Sequence, residues 1–360
     1  MRKFLKQIHK LLSFPVGLII VIVCLTGCIL VFDDEIQEAI HPDRYFVENI
    51  EQKSPMPLKD LIPMVNTQLD TNMVASVRIS SDSERAYVMT LKKGFRISAY
   101  VDQYTGEVKE VVAFRDTFMF KIMTLHRWLM DDSRTIGKYT VGISTIIFVV
   151  ILISGVFIWI PKNKKNIKRR FSIKWALHSV LGIYACLFLL VCALTGLMWS
   201  FEWYRNGVFT LFGTGVEKKE GGGGHGRGQG GRGEGKKEKL LDISQWDKAL
   251  QEVKAVAPDF NSVTVADESI TVKPQSAMHG RVTDTYNFSK ETGLITSVQP
   301  YDEVELNTRL FHWAYALHVG DYGSGYWAKI LTCLAALIGG SLPITGYYLY
   351  FAKNGKKRRR

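Results

Sequence analysis

Four stretches of nearly unbroken apolar character punctuate the chain, at residues 11–32, 137–160, 176–200 and 327–351. Each has roughly the 20 residues a helix needs to cross a bilayer. Each also carries scattered Gly, Cys, Ser or Thr, which let helices approach closely in lipid. Between these stretches the period changes. Residues 57–112 open with a helix-spaced run at Pro57-Leu58-Lys59-Asp60-Leu61-Ile62. Val74–Ile79, Ala86–Leu91 and Arg96–Val101 then alternate as strands do. Asp102 to Val108 is a turn with Gly106 where positive φ is needed, followed by a returning strand. The plan recurs after the third stretch. Trp246–Val256 is amphipathic, Ser262–Val265 and Ser269–Val272 are strand-like, and Ser289-Lys290-Glu291-Thr292-Gly293 restates the turn.

The pattern therefore predicts a membrane protein: a four-helix transmembrane bundle plus two small α+β modules, one in residues 33–136 and one in 201–326. Ahead of the second and fourth spans lie aromatic-rich segments near 116–130 and 305–319. His126 stands 34 residues before Ile160. One helix of that length would reach ~50 Å, longer than a bilayer with its headgroups. Breaks are expected at Asp131-Asp132-Ser133 and at Asp321 to Gly325, leaving short interfacial helices folded over the bundle mouth.

Charge sets the orientation. The N-terminal residues 1–10, the loop 161–175 and the tail 352–360 hold 17 basic and no acidic residues, so the rest of this +12 chain sums to −5. The positive-inside rule places both termini and the 161–175 loop in the cytoplasm and both modules outside. The basic balance is thus a topology signal, and nucleic acid is not an expected partner. All five cysteines (Cys24, Cys28, Cys186, Cys192, Cys333) fall within spans, so no disulfide staples the modules. Leu25-Thr26-Gly27-Cys28 resembles a lipoprotein cleavage box. The apolar run continues through Ile29 to Phe32, however, and the equivalent third-span site has Leu197 after Thr195-Gly196. Packing of an uncleaved span explains the Thr-Gly pair better. Residues 213–239, rich in Gly, Arg and Lys around His225, read as a flexible loop.

The spans repeat. His9, Leu12, Leu25, Thr26, Gly27, Phe32 and Asp33 recur 169 residues later as His178, Leu181, Leu194, Thr195, Gly196, Phe201 and Glu202. Spans two and four match at an offset of 191, aligning Lys138 with Lys329, Ser154-Gly155 with Thr345-Gly346, and Trp159 with Tyr350. Just ahead of them, Leu125-His126 matches Leu317-His318 at an offset of 192. The chain reads as a duplicated unit with a two-fold internal pseudo-repeat. Histidine is costly inside a bilayer and marks function there. Paired imidazoles can grip one ion between them, and haem iron is the expected one. His9 and His178 would hold a cytoplasmic-side haem b, and His126 and His318 an outer one. His312, six residues before His318, is the rival outer ligand. Arg127 and Arg309 could meet haem propionates. His41 and His279, in polar segments, read as surface residues. The competing reading of each histidine alone is an interfacial residue beside Lys and Arg.

Four spans, two modules with Thr105-Gly106 and Thr292-Gly293 turns, and the two Leu-His motifs together resemble the PepSY-associated transmembrane family over nearly the whole chain. The second turn departs from the pattern, with Ser289 where the first has Asp102. The resemblance implies a haem protein of the bacterial inner membrane, in some members a reductase of ferric siderophores. The expected route runs from a quinol or a cytoplasmic reductase, through both haems, to a ferric chelate held between the modules and the bundle mouth. No Rossmann-type or flavin motif supplies electrons from within the chain. Two other classes compete. A membrane-anchored module that binds peptide or regulates a protease gives no reason for paired histidines. A metal-ion carrier would need acidic residues in the spans, and none occurs in 137–160, 176–200 or 327–351.

Overall fold

The computed structural model describes residues 2–48, 50, 53–69, 73–160, 173–214, 241–323 and 325–358. Most of the basic 161–175 loop, nearly all of the Gly-rich 213–239 segment with His225, and the last two residues lie outside them. In chain order the elements are α1 (Arg2–Val31), α2 (Asp33–Ile40), α3 (Pro42–Tyr45), α4 (Leu58–Gln68), β1 (Val74–Ser80), β2 (Tyr87–Leu91), β3 (Ile97–Val101) and β4 (Val108–Ala113). Next come α5 (Phe118–Trp128), α6 (Ile136–Trp159), α7 (Ile173–Ser200), α8 (Glu202–Leu211) and α9 (Trp246–Val256). The chain closes with β5 (Phe260–Ala266), β6 (Ser269–Pro274), β7 (Asp284–Phe288), β8 (Ile295–Gln299), α10 (Leu306–Val319) and α11 (Trp327–Arg358). They form two compact units: residues 1–33, 121–217 and 309–360, and residues 34–120 and 218–308.

The first unit is helical. α1, α6, α7 and α11 are each long and apolar enough to cross a membrane. α1 packs on α6 and α11, and α7 packs on the same two, so α1 and α7 face each other across the bundle. Val16, Ile20, Cys24, Phe148, Leu152, Ala185 and Leu189 fill its centre. Leu18, Ile153, Leu187 and Leu334 point outward, a distribution that suits lipid and not water. Pro15 and Pro343 sit inside α1 and α11, as spans tolerate when neighbours satisfy the freed carbonyls. α1 and α7 start at Arg2 and Ile173, earlier than the apolar runs at 11 and 176, and α11 runs on to Arg358. Hydropathy reports the hydrocarbon segment, whereas Lys and Arg are good helix formers and let the helix run past it.

The break before α6 falls after Trp128. Leu129 and Met130 adopt φ of 52° and 62° and end α5. The Asp131 carboxylate then accepts from the backbone N–H groups of Ser133, Thr135 and Gly137 at 2.9–3.0 Å, capping the start of α6. Gly137 passes so close that a Cβ would stand 1.7 Å from the Trp128 carbonyl oxygen.

The second unit corrects one expectation. Its strands do not form two separate modules but one antiparallel sheet of order β4-β3-β2-β1-β5-β6-β7-β8. β1 and β5 join the halves, with Val77 opposite Val265. Val77, Met89, Val101, Val263, Val265 and Ile270 are fully buried beneath α4 and α9. Asp247 at the start of α9 accepts from the Leu58 and Lys59 N–H groups at 2.7 and 2.9 Å, capping α4 from the other half. Gly106 and Gly293 close equivalent turns at φ of 76° and 71°. Ser289 Oγ receives the Glu291 and Thr292 N–H groups much as Asp102 Oδ1 receives those of Tyr104 and Thr105. The Ser-for-Asp departure therefore keeps the turn.

Candidate functional site

His9 on α1 and His178 on α7 face each other in the helical unit, with ring centroids 6.3 Å apart and planes at 89°. His126 on α5 and His318 on α10 do the same at 6.2 Å and 69°. His318 and not His312 is the α10 residue opposite His126.

All four imidazoles are held in one way. His126 Nδ1 lies 2.9 Å from the Val23 carbonyl and 3.0 Å from Thr26 Oγ1. His318 Nδ1 lies 2.9 Å from the Cys192 carbonyl and 3.2 Å from Thr195 Oγ1. His9 Nδ1 lies 3.1 Å from the Ile151 carbonyl and 3.0 Å from Ser154 Oγ. His178 Nδ1 lies 3.0 Å from Thr345 Oγ1. The four hydroxyls donate their own hydrogens to carbonyls of the preceding helical turn, at Ile22, Val191, Ile151 and Ser341. Each oxygen is thus left as an acceptor, and a carbonyl can only accept. The network therefore puts the proton on Nδ1 and the lone pair on Nε2.

The residue after each hydroxyl is glycine. A Cβ at Gly155, Gly27, Gly196 or Gly346 would stand 3.4, 3.3, 3.1 or 3.3 Å from Cε1 of His9, His126, His318 or His178. The Ser/Thr-Gly pairs, read from the sequence as packing features, are seats for histidines on neighbouring helices. Their repetition was visible in the chain; their partners were not.

Two imidazoles about 6 Å apart, each with Nδ1 already bonded and Nε2 left to bind, suit a metal held between them. Two metal–nitrogen bonds of about 2.0–2.1 Å, with the reach from each nitrogen to its ring centre, span about 6 Å. Among the described residues no group of three or more His, Cys, Asp or Glu could hold a metal ion. Two imidazoles fall short of the three or four protein ligands of a zinc site. Two nitrogen donors are the number a protein supplies to a metal whose other donors come from a cofactor. The surroundings fit the rest of such a group. Trp199 packs against His318, Phe311 and Tyr315 with ring centroids 5.7, 5.0 and 6.3 Å apart; nothing in the sequence pattern singled it out. Arg309 has a buried Nε without a hydrogen-bond partner. Arg127 and Arg134 lie over the Trp128 ring at 4.8 and 4.6 Å. Burial and the nearby Arg134 push the Arg127 guanidinium below its usual pKa.

Two other histidines lie in the sheet unit. His41 is exposed, as its polar context suggested. His279 is not a surface residue: it is 3% exposed, accepts the Arg281 N–H at Nδ1 (3.2 Å) and meets the Tyr301 hydroxyl at Nε2 (3.3 Å). Its flanks are polar, but the chain turns it inward against Tyr301.

A family model described as PepSY-associated TM region matches residues 6–353, nearly the whole chain. No curated protein matches the chain at a significant level.

Proposed function

The chain belongs to the PepSY-associated TM region family and is a multi-pass membrane protein, and from that premise we propose that it is a di-haem electron carrier of a bacterial inner membrane. One haem b would sit between His9 and His178 and the other between His126 and His318. The carrying observation is two pairs of facing imidazoles, with ring centroids 6.3 and 6.2 Å apart and every Nδ1 already bonded. When bound, haem supplies reversible one-electron exchange at a potential set by its axial ligands and surroundings. The two histidines of each pair would be the protein's donors to the iron, a set that suits electron exchange rather than oxygen binding. Gly27, Gly155, Gly196 and Gly346 make room for the rings, and Arg127 and Arg309 offer guanidinium groups to propionates.

The repeated offsets of the spans support a duplicated unit, and the paired Thr-Gly turns support a PepSY-like character for the sheet unit. The basic ends support cytoplasmic termini. The donor we propose is a quinol or a cytoplasmic reductase, and the acceptor a ferric siderophore or other ferric chelate. A quinol gives up two electrons and two protons and would convert two ferric ions to ferrous. Ferrous iron fits hard oxygen donors less well, which favours release.

The test is a reduced-minus-oxidised absorption spectrum of the full-length protein in detergent, with a haem-to-protein ratio. Two low-spin b-type haems are expected. His178→Ala and His318→Ala should each remove one haem and leave the other. A wild-type protein that stays colourless after expression with added haem overturns the reading and leaves a peptide-binding membrane module in its place.

A further inference from the structure

We propose that Ser154, Thr26, Thr195 and Thr345 are positioning residues, one for each imidazole, that set ring orientation and lower the potential of the iron each histidine would bind. The inference rests on the haem reading above.

A Ser or Thr inside a helix normally spends its hydroxyl on a carbonyl of the preceding turn. All four do so, at 2.6–3.0 Å. Helix packing would be served by that alone, since it needs only a small residue. Each oxygen also stands 3.0–3.2 Å from a histidine Nδ1 on a different helix. An Nδ1–H that is hydrogen-bonded fixes the ring and raises the basicity of the opposite nitrogen. A more basic axial nitrogen favours ferric over ferrous iron, so removing the hydroxyl acceptor raises the potential. At each of the four rings a backbone carbonyl, of Ile151, Val23, Cys192 or Leu342, shares the proton and stays when the hydroxyl goes. The ring should then remain seated and the haem bound.

The contacts also sort the four residues into two sets. Thr26 and Thr195 serve the His126–His318 pair, and Ser154 and Thr345 serve the His9–His178 pair. Nothing about span-by-span packing predicts that grouping, because each set draws on two different helices.

The experiment is an equilibrium redox titration of the full-length protein in detergent, followed by the haem absorbance bands, on Thr26→Val, Thr195→Val, Thr345→Val and Ser154→Ala. The expected result is two haems retained, with one titrating component shifted to higher potential. Thr26→Val and Thr195→Val should move the same component, and Ser154→Ala and Thr345→Val the other. Thr26→Ser should restore the wild-type value. Haem present with all potentials unmoved overturns the positioning role alone. Thr26→Val and Thr195→Val moving different components, or one variant expelling both haems, also overturns it. A wild-type protein without haem overturns the underlying reading instead.

Discussion

A histidine ring seated on a hydroxyl and a glycine is the unit from which this site is built. The glycine matters as much as the hydroxyl, because Gly196 already brings its backbone close to His318. Replacing it by alanine would put a Cβ 3.1 Å from Cε1, so the ring must give by a few tenths of an ångström. If the proposed haems are bound, Gly196→Ala is therefore expected to lower the haem-to-protein ratio below two. Gly207→Ala, where a Cβ meets nothing within 4 Å, should leave it at two. The four histidines could be singled out from the chain because each recurs at a fixed offset in an apolar setting. Their seats could not be paired with them, since a side-chain bond from α5 to α1 leaves no trace in either sequence. His279 shows the reverse error: polar neighbours in sequence said nothing of the Tyr301 ring that covers it in space.

Among the elements, the helices were more legible than their ends. Eighteen or more apolar residues announce a span, but where α1 begins is decided by backbone bonding that continues through Arg2 to Lys10. The strands were legible by alternation and glycine turns, while their partners were not. Within the sheet unit, Arg44 is buried and grips Glu110 of β4 with two bonds of 2.8 Å. The Arg44 hydrogen bonds hold the Glu110 carboxyl below its ordinary range. A lowered carboxyl pKa stabilises the fold above its unfolded value of about 4.3 and ceases to as pH falls through the folded value. Because the Glu110 side chain is 45% exposed, solvent screens the pair and the effect is small. Protection of the β3–β4 amides from hydrogen exchange, taken relative to the intrinsic rate at each pH, should fall in the wild type as pH drops below about 4. Glu110→Gln should show the lower protection already at neutral pH and little further acid response.

Over the whole molecule, charge and hydropathy make a claim that contacts do not. Seventeen basic and no acidic residues in 1–10, 161–175 and 352–360 are the ground for the proposed cytoplasmic side of those segments. A fluorescent-protein fusion after Arg360 should fold and fluoresce in the cytoplasm. An alkaline phosphatase fusion within residues 213–239 should be active outside. An inactive phosphatase there would reverse the orientation and move the proposed acceptor to the other face.

By itself the sequence determined the spans, their repetition, the four histidines and the strand segments. These are properties of single segments: apolar length, residue spacing and local period. Only the tertiary structure decided that β1 pairs with β5 to merge two sets of strands into one sheet. It alone decided that His318 and not His312 faces His126, and that each Ser/Thr-Gly pair belongs to an imidazole on another helix. Those outcomes depend on which surfaces meet, and a hydrogen bond between residues 100 or more positions apart is specified by packing geometry rather than by local pattern.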